Sequence, residues 1–182
     1  MINSIRIFIC MGLVVACNNS FAAAAKSETK AFDLGSEWVK NQDDGGIPDG
    51  MWNLKSNKDI YVTAMSRTFI PPKAQVEEKQ AKDVVASLTE GRSKALNLVG
   101  ITDWHIDDNK FTKGHDQFSI KIHGSFHDTN SVPVEFNEVH IWHKTKYQSL
   151  TINYPKDSKF GETKQPEQMM NRFISSVTEG EK

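Results

Sequence analysis

Six histidines are the residues in this chain with the clearest capacity for chemistry, and three of them, His123, His127 and His140, lie in the strand-like stretch from Phe118 to Tyr154. Imidazoles ligate metals, shuttle protons and activate hydroxyl nucleophiles. A zinc site needs three or four convergent ligands. From Phe118 to His127 the even positions are apolar and the odd ones polar, so the strand has a core face and a second face bearing Lys121, His123 and His127. On such a strand His123 and His127 stand about 13 Å apart, too far to share an ion held at about 2 Å by each ligand. His140 is expected beside Lys121, whose charge repels a cation. His143 has core-face parity opposite Phe118 and reads as a partly buried edge histidine. His105 and His115 lie near Asp103, Asp107 and Asp116, a loose surface chelate at most. No metal and no cofactor are expected.

Nucleophilic catalysis has little more support. His123-Gly124-Ser125-Phe126-His127 is a strand alternation, not a strained strand-to-helix turn around a serine. Ser125 and His123 share a face at two-residue spacing, without a third group to orient the base. Glu135 and Glu138 are close in sequence, but no acid–base carboxylate pair is evident. Asp44-Gly45-Gly46 is a turn, not a phosphate-cradling loop. No catalytic residue is assigned.

The elements that must position these residues are strands. Val134 and Phe136 keep one parity, whereas Val139 and Ile141 keep the other, and an extra residue near Asn137 or Glu138, a β-bulge, would restore the alternation. Matching core residues then pairs Phe126 with Val134, Gly124 with Phe136, Ile122 with Val139 and Ile120 with Ile141. The next hairpin, turning through Lys144 to Tyr147, sets Ile141 against Leu150 and Val139 against Ile152. On the opposite face this register puts His123 beside Glu138, His140 between Lys121 and Thr151, and Trp142 beside Ser149. Lys121, His123, Glu138, His140, Trp142 and Tyr147 form the expected binding patch, mixed aromatic and polar as recognition surfaces are. A helix, or an arm through Phe32 to Val39, is the alternative occupant of that face.

The rest of the chain bounds the function. Met1–Arg6 carries one positive charge, Ile7–Ala16 is apolar, and small residues end in Ser20-Phe21-Ala22, the layout of a secretory signal peptide over residues 1–22. The apolar run is shorter than the about 20 residues of a membrane span. Cleavage after Ala22 is expected. Val14-Val15-Ala16-Cys17 resembles a bacterial lipobox and supplies the alternative, a membrane anchor through a lipid on Cys17. Both cysteines, Cys10 and Cys17, precede Ala22, so that cut leaves no disulfide and no thiol. Charge is balanced at 22 Lys+Arg against 23 Asp+Glu, with no basic block, so a nucleic-acid partner is not expected.

Residues 23–46 read as a flexible leader or arm, and Asp43–Gly50 as turn chemistry. From 47 to 182 one α+β domain is expected. Met51–Leu54 and Asp59–Ser66 are strands. Lys73–Leu98 is a helix with Ala81, Val84, Val85, Leu88, Ala95 and Leu96 on one stripe. Thr102–Asp107 is a strand, Asp107–Asp116 a polar loop. Pro166 opens a closing helix with Met169, Met170, Phe173 and Val177 inward. The order β-β-α-β-β-β-β-α predicts an antiparallel sheet packed with helices.

That order resembles the PsbP/DcrB-like family of exported bacterial proteins. The likeness is carried by Ile47-Pro48-Asp49-Gly50-Met51-Trp52, the helix through Val84, Val85 and Leu88, the strand Leu150-Thr151-Ile152-Asn153-Tyr154, and Phe173-Ile174-Ser175-Ser176. The resemblance implies a mostly non-catalytic role in binding or assembly. The expected function is therefore an exported, periplasmic or secreted, cell-envelope accessory factor with a protein partner. The alternative is a ligand- or metal-binding hydrolase-like enzyme using the histidine-bearing face.

Overall fold

The computed structural model describes residues 33–42, 50–68, 78–114, 117–143 and 146–179. The signal-peptide and lipobox residues, Ala22 and Cys17 among them, lie outside the described residues. So do the Asp43–Asp49 turn, the start of the first helix before Glu78, His115 and Asp116.

The chain runs β1 (Trp38–Lys40), β2 (Gly50–Leu54), β3 (Asn57–Thr68), α1 (Glu78–Asn97), β4 (Thr102–Lys113), β5 (Gln117–His127), β6 (Pro133–His143), β7 (Lys146–Pro155) and α2 (Gln165–Glu179). All seven strands form one antiparallel sheet in the order β1-β2-β3-β7-β6-β5-β4. This is the α+β architecture the element order predicts. Trp38–Lys40, read above as part of an arm, is an edge strand, with Leu34 and Trp38 in the core.

Each helix buries its apolar stripe on a different side of the sheet. On one side Leu88, Leu96 and Val85 of α1 meet Trp104, Ile120, Ile122, Phe126, Val134 and Phe136. On the other, Met169, Met170 and Phe173 of α2 meet Val62, Val139, Ile141, Leu150 and Ile152. α1 ends in a left-handed cap: Gly100 has φ 81°, and the Ile101 N–H returns to the Leu96 carbonyl at 3.1 Å. α2 starts where the Thr163 hydroxyl accepts the Gln165 N–H at 3.2 Å, with Pro166 in the first turn.

The two-sided cover explains β6. Its register with β5 is unbroken from Gln117↔His143 to His127↔Pro133, so the bulge expected near Asn137 is absent. Phe126 faces Val134 and Gly124 faces Phe136 as expected, but Ile122 faces Glu138 and Ile120 faces His140. Likewise Val139 faces Leu150, and Ile141 faces Gln148. The apolar parity switches because burial passes from the α1 side (Val134, Phe136) to the α2 side (Val139, Ile141). Residues 138–141 are all buried, as a strand covered on both faces requires. The irregularities lie instead in β4, between Thr102 and His105 and between Ile106 and Asp108, and in β2 between Asn53 and Leu54. β4 also continues to Lys113, where a polar loop was expected, because an edge strand open to solvent needs no apolar alternation.

Gly124 is a strand glycine whose missing side chain the packing demands. A Cβ there would overlap the His105 carbonyl oxygen and the Phe136 ring, which stacks on Trp104 at 5.5 Å.

Candidate functional site

The six expected patch residues divide between the two faces. Ladder partners share a face, so Glu138, His140, Trp142 and Tyr147 lie with Ile120 and Ile122 on the α1 side, whereas Lys121 and His123 lie with Val139 and Asn137 on the α2 side. His123 faces Asn137 rather than Glu138, His140 lies between Ile120 and Ser149, and Trp142 faces Tyr147. The single patch required the bulge, and without it the parities separate.

On the α1 side the residues form a buried network. Glu138 and His140 are 2% and 1% exposed. Arg92 of α1 grips Glu138 with both terminal nitrogens, Nη1 to Oε2 at 2.5 Å and Nη2 to Oε1 at 2.7 Å. The Thr151 hydroxyl donates to Oε1 at 3.1 Å. His140 Nε2 lies 3.2 Å from Oε1 without the alignment of a hydrogen bond, and Nδ1 is hydrogen-bonded to the Tyr147 hydroxyl at 2.7 Å. Arg92 also lies over Trp104, 5.7 Å from the ring centroid. Burial alone would raise the Glu138 carboxyl. The charges of Arg92 and His140, with the hydrogen bonds from Arg92, outweigh it and hold Glu138 well below the usual carboxylate range. Trp142 completes this side, stacked on Phe118 at 4.6 Å and tilted against Tyr147 at 5.1 Å. Glu138 and His140 thus tie α1 to the sheet and offer no surface to a partner.

On the α2 side, among the described residues, the β4–β5 part of the sheet is left uncovered beyond the helix. α2 packs on β6 and β7, and Lys121 donates to Asn171 of α2 at 2.7 Å, marking the helix flank. Past that point β4 and β5 carry a chain of ionisable side chains. His105 Nε2 lies 3.1 Å from Asp107 Oδ1. His123 Nδ1 lies 3.7 Å from Asp107 Oδ2, and its Nε2 is 3.9 Å from Glu135 Oε2. His127 Nδ1 lies 3.1 Å from Asp103 Oδ2. Burial and the Glu135 carboxylate push the Tyr154 hydroxyl up to about 12, while Asn137 donates to it at 2.6 Å.

Chemically, these groups pair locally and do not converge. Among the described residues no three His, Cys, Asp or Glu side chains are placed to hold a metal ion. Ser125 Oγ is 3.2 Å from His105 Nε2, and His105 Nδ1 is 2.7 Å from the Asp103 carbonyl. That is a hydroxyl beside an oriented base, but His105 is 57% exposed and water reaches it freely. Sequence reasoning placed Ser125 with His123; the partner is His105, brought alongside by β4–β5 pairing. Arg92 gave no signal in the sequence, lying among other charged helix residues. His143 is buried on the α2 side, facing Gln117 rather than Phe118.

No family model matches the chain, and no curated protein matches it in sequence. Among solved structures, cyanobacterial PsbP (CyanoP) from Synechocystis superposes with a TM-score of 0.57 at 11% identity, over 78% of this chain and 81% of that one. The chain has the PsbP-like fold. Two looser superpositions are with LpqN, involved in cell envelope biogenesis of Mycobacterium tuberculosis, and with the Saccharomyces cerevisiae Ran-binding protein Mog1p. LpqN gives a TM-score of 0.47 at 13% identity, over 76% of each chain. Mog1p gives 0.42 at 10% identity, over 80% of this chain and 84% of that one. Among the described residues no helix of this PsbP-like chain is long and apolar enough to cross a membrane.

Proposed function

We propose that this is an exported cell-envelope protein that acts without catalysis, as a binding or assembly factor, and that its protein partner docks on the β4–β5 surface beside α2. The observation that carries the reading is the open half-face. α2 packs on β6 and β7, and the strands beyond it present Lys121, His123, His105, Asp107 and Glu135 as a mixed set of ionisable side chains. Such a surface steers and orients a charged partner more than it holds one by apolar burial. Lys121 and His123 of the expected patch belong to it. Trp142 and Tyr147 lie on the other side as a second, aromatic contact point. The signal-like N-terminus supports export, with processing after Ala22 giving a periplasmic or secreted protein and lipidation of Cys17 the alternative. The PsbP-like fold supports the reading only as a scaffold, since fold does not set function.

Crosslinking in the native envelope tests it. A Lys121→Ala/His123→Ala/Glu135→Ala protein is expected to lose the crosslinks that the wild type forms; unchanged crosslinks would place the partner elsewhere.

A hydrolase-like reading rests on the Ser125–His105 contact and the Asp103 carbonyl behind it. A fluorophosphonate probe would label Ser125 if that reading held, and the label would disappear in Ser125→Ala.

A further inference from the structure

We propose that β4 is a self-pairing edge, joining antiparallel to β4 of a second copy of this chain about a two-fold axis at Asn109. Among the described residues β4 is bonded only to β5, and it is twelve residues long, whereas the opposite edge, β1, has three. Open edges invite strand addition, and proteins commonly guard them with charge. Here the guard changes sign along the strand: Asp103, Asp107 and Asp108 lead, Lys110 and Lys113 follow, and all are exposed. Around an axis at Asn109, Asp108 of each copy faces Lys110 of the other, so one contact occurs twice, as an isologous interface requires. A parallel approach would set Asp108 against Asp108. The charges select the antiparallel orientation.

Within its own chain Lys110 lacks this complement. Its cross-strand partner is Lys121, a like charge, while Asp108 faces His123. Neither Asp108 nor Lys110 enters an ion pair among the described residues. α1 meets β4 at Trp104, so the two copies of α1 fall on opposite sides of the axis. The irregularity between Ile106 and Asp108 keeps the regular pairing short. The dimer is therefore weaker than a standard interface of about 1,600 Å² would give.

Sedimentation equilibrium of the purified protein, over a wide concentration range at low and high salt, tests the pairing. The wild type is expected to dimerise reversibly and less at high salt. Asp108→Lys and Lys110→Asp each place two like-charge contacts across the axis and should weaken the dimer at least about tenfold, a change of about 1.4 kcal/mol. The double variant D108K/K110D restores both contacts and should return to within about threefold of the wild type. A wild type that stays monomeric throughout would overturn the proposal. So would single variants that dimerise normally, or a double variant as weak as the singles.

Discussion

Arg92 and Glu138, 46 positions apart, meet in a two-pronged contact that joins α1 to the strand covered on both faces. A buried ion pair adds little net stability over an apolar pair of equal volume, because both charges lose water. Breaking one side is another matter. Arg92→Ala takes from buried Glu138 its main counter-charge, and should lower unfolding stability by about 3–5 kcal/mol in urea or guanidinium titrations. The apolar double variant R92M/E138L should recover most of that loss. Equal destabilisation by single and double variants would mean that shape, not charge, holds α1 here.

The same carboxylate sets the acid limit. Its folded pKa is depressed below the ordinary 4.5, so its stabilising contribution is complete above that value and is lost as pH falls from there through the folded pKa. Stability measured by denaturant titration should decline below about pH 4.5, by up to about 1.4 kcal/mol per pH unit from this group. In Glu138→Gln, that part of the slope should vanish.

Tyr154 sets the alkaline side with the opposite sign. Its folded pKa is raised to about 12, so the neutral phenol stabilises the fold below the ordinary value of 10.0, and that contribution is lost as pH rises through 12. Ultraviolet difference titration should find one tyrosine ionising near 12. Glu135→Gln removes the neighbouring negative charge and should move it down.

Gly124→Ala should destabilise by about 1–3 kcal/mol, since the new methyl group has the His105 carbonyl and the Phe136 ring in its way. Thermal unfolding of the variant, compared with Ser125→Ala on the same strand, separates this overlap from general strand effects.

Much of the fold was legible, for physical reasons that differ by element. α2 announced itself through Pro166 and the stripe Met169, Met170, Phe173, and β5 through strict alternation. β6 misled because one-face alternation is the signature of a half-buried strand, and this strand is buried on both faces. Glu138 and His140 look like surface residues until Arg92 and Tyr147, distant in sequence, supply their partners. β1 carries only three strand residues, too few for any period. The open site was half visible. Lys121 and His123 followed from parity, whereas His105 and Asp107 needed the β4–β5 register, which irregularities at two points conceal.

Docking of a partner on the α2-side surface of β4–β5, as proposed, is open to direct test. A photo-crosslinking amino acid placed at position 123, and in a separate protein at position 58 on the β2–β3 hairpin, tests it most directly in the native envelope. A discrete crosslinked protein is expected from position 123 and none from position 58. A crosslink from 58 with none from 123 would contradict it.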